Sequence, residues 1–150
     1  MKHKQAGAAL VEFALILPLL LILTFITTEF SRALYQYNTL AKSVRDAARY
    51  LSTQSPGTKI DESKNLVVYG SLANTGSPLA FGLARDQIKT PEWKLKGANP
   101  VINTVTISIA GCATSPPPCY KFVPLMNSAF GLNFGTVDYA DITATMRGAL

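Results

Sequence analysis

From residue 8 to residue 26 the chain is apolar at every position except Glu12 and Thr24. A run of that length spans a bilayer as a helix. A carboxylate inside such a span costs about 2.5–3.5 kcal/mol, so Glu12 needs a reason to be there. The competing reading is a carboxylate close enough to the interface to stay hydrated. Past the run, Phe30, Ala33, Leu34, Tyr37, Leu40, Ala41, Val44, Ala48 and Leu51 recur at steps of three and four, one helical stripe. Arg32, Lys42, Arg45, Asp46 and Arg49 lie off it, with Lys42 and Asp46 spaced for an i,i+4 pair. No glycine or proline interrupts residues 19–55. The pattern predicts one continuous helix over residues 8–52, about 67 Å long. Pro18 frees the carbonyl of Ala14 and is expected to kink it.

Ser55-Pro56-Gly57-Thr58 should end the helix. Residues 65–69 read as a short strand, and residues 70–82, with three glycines and a proline, as loop. Ser77-Pro78 is placed to cap a short helix reaching residue 89. Trp93 and Leu95 mark an extended segment. The clearest strand is 103–110, with Val105, Ile107 and Ile109 on one face and Thr104, Thr106 and Ser108 on the other. Residues 120–123 should pair back on it as a hairpin whose tip lies between Cys112 and Cys119. Residues 127–135 read as loop. The last strand is 138–147, with Ile142, Ala144 and Met146 inward. The expected fold is α+β: a long N-terminal transmembrane and amphipathic helix packed on a small antiparallel sheet of three to four strands.

A basic tail before an apolar run ordinarily marks a secretory signal peptide, cut after the run at a small-x-small site. Here Ile26-Thr27-Thr28-Glu29-Phe30 follows the run and offers no such site. The small residues Ala6, Gly7, Ala8 and Ala9 precede it instead. A cut after Gly7 would leave the helix on the mature chain, with Ala8 first and Glu12 fifth. That arrangement resembles the type IV pilins. Ala9-Leu10-Val11-Glu12-Phe13-Ala14-Leu15-Ile16-Leu17-Pro18 is similar, more narrowly, to the start of TadE-like pseudopilins of the tight-adherence (Flp) pilus system. So are Glu29-Phe30-Ser31-Arg32-Ala33-Leu34-Tyr35-Gln36-Tyr37-Asn38 and Ala47-Ala48-Arg49-Tyr50. Thr27-Thr28 stands where that family more often has apolar residues or glycine.

The resemblance implies a pilin-like fold divided into a leader (1–7), a transmembrane helix (8–28), its periplasmic continuation (29–55) and a β-rich periplasmic head (56–150). It implies that prepilin peptidase cuts between Gly7 and Ala8. Glu12 would then be an assembly contact, facing the new amine of a neighbouring subunit's Ala8. Implied partners are the inner membrane, that peptidase, other pilins and pseudopilins (TadF-like subunits and the Flp major pilin) and the pilus assembly machinery. Charge bears on orientation: Lys2 and Lys4 hold the amino side in the cytoplasm, while Arg32, Lys42, Arg45 and Arg49 pull the other way. The resemblance implies the first.

In an exported head, Cys112 and Cys119 read as a structural disulfide. Six residues separate them, too many for a CxxC redox motif, and two unpaired thiols are the alternative. Metal ligation would need further soft ligands, and the chain's one histidine, His3, lies in the tail. No cofactor is implied. Removal of the tail also leaves no histidine for a nucleophilic triad. Asp61-Glu62 and the pair Asp138 and Asp141 read as solvated turn and strand positions, and calcium at the second pair lacks the remaining oxygens. Gly131 to Gly135 lacks the Lys-Ser/Thr of a phosphate loop. Tyr35, Tyr37, Tyr50 and Trp93 read as packing residues. Net charge is +5 in 150 residues, spread thinly, with Lys94-Leu95-Lys96 the densest patch. That is a solvated strand face and no nucleic-acid stripe. The expected function is a non-enzymatic minor pilin or pseudopilin. The alternative is a signal-anchored exported binding protein unrelated to pili.

Overall fold

The computed structural model describes residues 3–125, 128–129, 132–133 and 135–148, with backbone alone for 3–6, 128, 129, 132 and 133. Its first element, α1, is a single helix over His3–Ser52. Its 50 residues make a rod about 75 Å long. It starts inside the basic tail and runs through Pro18 without ending. The helix stops at Ser52, where the N–H groups of Thr53 and Gln54 turn back to the carbonyls of Tyr50 and Leu51. Gly57, at φ 79°, carries the chain out of the turn. Lys42 and Asp46 are both exposed and form no ion pair with each other.

Residues 65–69 are not a strand. They are the second half of α2, Ile60–Tyr69. The β-branched pair Val67-Val68 favours a strand in a five-residue window, but the preceding turn decides otherwise. Asp61 and Glu62 sit in the first turn of α2, where the helix dipole favours carboxylates. Ser63 and Val67 are buried at a four-residue step. Gly70, left-handed at φ 69°, closes the end with its N–H on the carbonyl of Leu66. The helix expected after Ser77-Pro78 is also absent: only the 3-10 turn Arg85–Gln87 forms there. Gly82, at φ 78°, breaks that segment, and Gln87 bonds the backbone N–H of Ala84 through its side chain.

The main sheet has three antiparallel strands: β1 (Glu92–Lys96), β2 (Ile102–Ile109) and β7 (Ile142–Arg147), in the order β1-β2-β7. Val105, Ile107 and Ile109 point inward and are fully buried or nearly so, as their alternation predicts. Ile142 and Ala144 do the same on β7. This face meets Leu40, Val44, Ala47, Ala48 and Leu51 of α1. Val67 and Val68 of α2 join the same core, and Trp93 packs at its margin. Each such aliphatic side chain contributes about 1.5–3 kcal/mol by leaving water. The stripe on α1 divides, however. Its upper members are core, whereas Phe30, Leu34 and Tyr37 remain exposed. Tyr35 is exposed as well, so it is no packing residue within this chain.

The expected hairpin between 103–110 and 120–123 does not form, because both sides of β2 are already taken. β7 covers one side, and β1 covers the first part of the other. Residues 87–89 complete that side, with Lys89 N–H on the carbonyl of Ser108 and Ala110 N–H on that of Gln87. The chain beyond Cys119 instead meets Gly111 in an isolated parallel bridge at Tyr120. It then forms β3 (Lys121–Phe122), which pairs with β6 (Val137–Asp138) as a separate ribbon. The strand expected over 138–147 is therefore two strands, broken at residues 139–141. Within the expected loop 127–135, β4 (Ser128–Ala129) and β5 (Leu132–Asn133) pair with each other. Residues 127, 130, 131 and 134 of that loop lie outside the described residues.

Candidate functional site

Residues 7–21 of α1 are exposed throughout. No residue in its most apolar 18-residue window is buried, and the helix is long and apolar enough to cross a membrane. It is apolar all round, which suits lipid or other apolar helices. Its few hydroxyls are satisfied internally: Thr24, Thr27, Thr28 and Ser31 each donate to the carbonyl four residues back, at 2.7–2.8 Å. Glu12 is exposed on this bare rod and, among the described residues, makes no hydrogen bond or ion pair. Gly7 and Ala8 lie one turn below, also exposed. Gly7 has no conformational or packing cause in the fold: it is helical, and an added Cβ would meet nothing within 4 Å. Glycine inside a helix costs about 1 kcal/mol relative to alanine. The structure thus leaves both Gly7 and Glu12 without an internal partner or purpose.

Where α1 leaves the bare half, the head fastens to it. Tyr139 Oη donates to the Ala33 carbonyl at 2.8 Å, and Tyr120 Oη donates to Gln36 Oε1 at 3.0 Å. The two tyrosine rings stack at 6.0 Å, and Tyr37 lies 5.7 Å from Tyr139. Arg32 bridges Glu29 at 2.7 Å and covers the face of Phe122 at 5.2 Å. Burial pushes the Tyr120 hydroxyl up to about 12, with Tyr139 adding to the effect and Arg32 opposing it. Burial raises Tyr139 too. Both hydroxyls therefore remain protonated donors at any physiological pH. Neither Tyr120 nor Tyr139 stands out in the sequence, since each sits in a short polar-flanked segment with no period to read.

Cys112 and Cys119 form the disulfide that their spacing suggested, with Cα atoms 5.0 Å apart. A second fastener holds the same loop. Asp141 Oδ1 accepts from the Gly111 N–H at 2.9 Å, Thr114 Oγ1 at 2.7 Å and Ser115 Oγ at 2.9 Å, and its other oxygen pairs with Lys89. Partial burial opposes ionisation of Asp141. The Lys89 ammonium and the three donors outweigh it and hold the carboxyl well below its usual range. Gly111 is required by contact: a Cβ there would lie 2.2 Å from the Tyr139 carbonyl oxygen. Asp141 is thus a structural node and no free strand-face carboxylate. Asp138 is exposed beside Lys121. Among the described residues no cluster of three or more His, Cys, Asp or Glu side chains is placed to hold a metal.

These parts define a class: a small disulfide-stapled α+β head built around the upper half of a helix whose lower half is a candidate membrane anchor. Over residues 7–49 the chain matches the family model described as TadE-like protein. The matched stretch carries Gly7, Ala8, Glu12 and the helix side of the head fastening, and it ends before α2. No curated protein and no solved structure matches the chain.

Proposed function

We propose that this chain is a minor pilin or pseudopilin, a structural subunit in assembly of a tight-adherence pilus. The observation that carries the proposal is a bare carboxylate, Glu12, five residues past an unexplained helical glycine in a TadE-like segment. Prepilin peptidase cuts after Gly7 on the cytoplasmic side and leaves Ala8 with a positive amine. The amine of one subunit and Glu12 of another face each other when anchor helices lie side by side. Pairing reduces the cost of two charges in an apolar setting and fixes axial register. The head stands in the periplasm, where the disulfide persists, and it acts by contact and not by catalysis. The partners are other pilins and pseudopilins in the inner membrane.

The test is Glu12→Leu in cells that make the pilus. The variant should insert, be cut to an Ala8 terminus and anchor at normal levels, yet fail to assemble or cross-link with pilin partners. A plain anchor would instead gain from losing a buried charge. Normal piliation by correctly cut Glu12→Leu overturns the contact, and native protein that still begins at Met1 overturns the processing.

A further inference from the structure

A groove of about 420 Å³ lies between α1 and the β3–β6 ribbon, at the end of the head nearest the bare helix. Ile26, Phe30, Leu34 and Tyr37 form its helix wall, and Phe122 and Val137 form its head wall. The pleat of the ribbon explains the apolar lining. Phe122 and Val137 are paired across β3 and β6 and share one face. Lys121 and Asp138 share the other, which lines a different cavity beside the disulfide. The ribbon therefore turns its apolar side toward the membrane half of α1. Val137 remains 45% exposed, and Leu125, just past Pro124, is 77% exposed.

We propose that this groove holds a hydrocarbon chain of a lipid from the membrane that α1 spans, so that the underside of the head sits in the lipid interface. The proposal rests on the anchor reading of α1. Ile26 is the last residue of the apolar run, and Phe30, Leu34 and Tyr37 continue it up one helix face, so the groove and the span share a wall. Hydrocarbon about 30 Å thick takes up about 20 residues of helix. Counted from Ala8, it ends near residue 28. Ile26 then lies in hydrocarbon, and Phe30 lies about 3 Å beyond its edge, within the headgroup layer. The polar groups on the wall favour hydrocarbon over a polar ligand: the Glu29 carboxylate is paired with Arg32, and the Tyr139 hydroxyl is given to Ala33. The volume falls within the roughly 300–1,000 Å³ typical of ligand pockets.

The experiment uses the full chain reconstituted in phosphatidylcholine vesicles containing a small fraction of phosphatidylcholine with a photoactivatable diazirine in its acyl chain. Irradiation and peptide mass mapping locate the adducts. The expected result is adducts on residues 8–28 and also on 122–125 and 137, unchanged when the protein is diluted tenfold in lipid. Val137→Asp, a substitution at a half-exposed position, should cut the adducts on 122–125 at least fivefold and leave those on 8–28 unchanged. An unchanged urea midpoint, followed through Trp93, checks that the variant is folded. Adducts on 8–28 with none on the head overturn the groove proposal alone. Absence of adducts on 8–28 overturns the anchor reading beneath it. Head adducts insensitive to Val137→Asp, or lost as protein density rises at a constant fraction of the probe lipid, also overturn it, the latter in favour of a second copy.

Discussion

Replacing Asp141 with alanine removes one carboxylate and orphans four donors. The Gly111 N–H is buried and has no other acceptor at hand, so its loss counts nearly in full. A hydrogen bond to a charged group contributes about 1.5–3 kcal/mol. Thr114 and Ser115 are better exposed and can turn toward water, which leaves a fraction of that for each. The Lys89 pair, partly exposed on both sides, adds at most about 1 kcal/mol. Together these give about 3–5 kcal/mol for Asp141→Ala, a large share of a typical domain's 5–15 kcal/mol. Asp141→Asn keeps the Oδ1 acceptor and should cost about 1–2 kcal/mol. The sign with pH follows from linkage. The native carboxyl is held below its unfolded value of about 3.9, so its contribution is complete above about pH 4. As pH falls below that value, the unfolded chain takes up a proton that the native chain refuses, and stability declines. Urea unfolding of the full chain in non-ionic detergent measures this through Trp93, the chain's one tryptophan, at the edge of the core. A midpoint for Asp141→Ala within 0.5 kcal/mol of wild type would refute the reasoning. So would an Asp141→Asn variant that loses stability in acid as steeply as the native chain.

Three further outcomes follow from the same geometry. Gly111→Ala should destabilise the head by about 2–4 kcal/mol, since its Cβ would overlap the Tyr139 carbonyl and overpacking costs at least about 1–3 kcal/mol before the lost Asp141 bond is added; urea midpoints of the same preparation test it. Cys112→Ser opens a loop of eight residues and should cost about 2.5 kcal/mol on the chain-entropy estimate, with the proposed cleavage after Gly7 unaffected; N-terminal sequencing alongside unfolding separates the two effects. Tyr139→Phe deletes the hydroxyl on Ala33 and keeps the ring stack, so about 1 kcal/mol is expected, with faster amide exchange confined to residues near the fastening.

The sequence was most legible where one period ran long enough to outvote local exceptions. The continuous helix survived Pro18 because more than thirty uninterrupted residues follow it, and β2 was readable from three alternating aliphatics. Residues 65–69 misled because a β-branched pair outweighs its context only when the window excludes Asp61 and Glu62. The cysteine hairpin misled for another reason. Adjacent strands usually pair, but here the far strand β7 and the segment 87–89 occupy both sides of β2 first. Such competition between distant segments has no signature in either one. The disulfide pairing was legible because only two cysteines exist, whereas Asp141 was not, since its partners lie 26 to 52 residues away.

The division of the α1 stripe explains how one helix serves two solvents. Leu40, Val44, Ala48 and Leu51 are covered by sheet, so they belong to the head's own core. Below them the head reaches the helix mainly through directed contacts: two tyrosine hydroxyls and a guanidinium over a ring. Directed contacts fix rotation about the helix axis in a way that aliphatic packing alone does not. They also lie at residues 32–36, just above the candidate span. The orientation of the head is thereby tied to the helix face that carries Glu12, through one unbroken rod. Glu12 and Arg32 are 20 residues apart, about 30 Å of axial rise. At 3.6 residues per turn that is between five and six turns, so their azimuths are set relative to each other. If Glu12 fixes register against a neighbouring chain, it fixes which side of the head that neighbour meets. The apolar lower stripe of Phe30, Leu34 and Tyr37 then lies either toward the neighbour or toward lipid, and labelling of the groove decides between them.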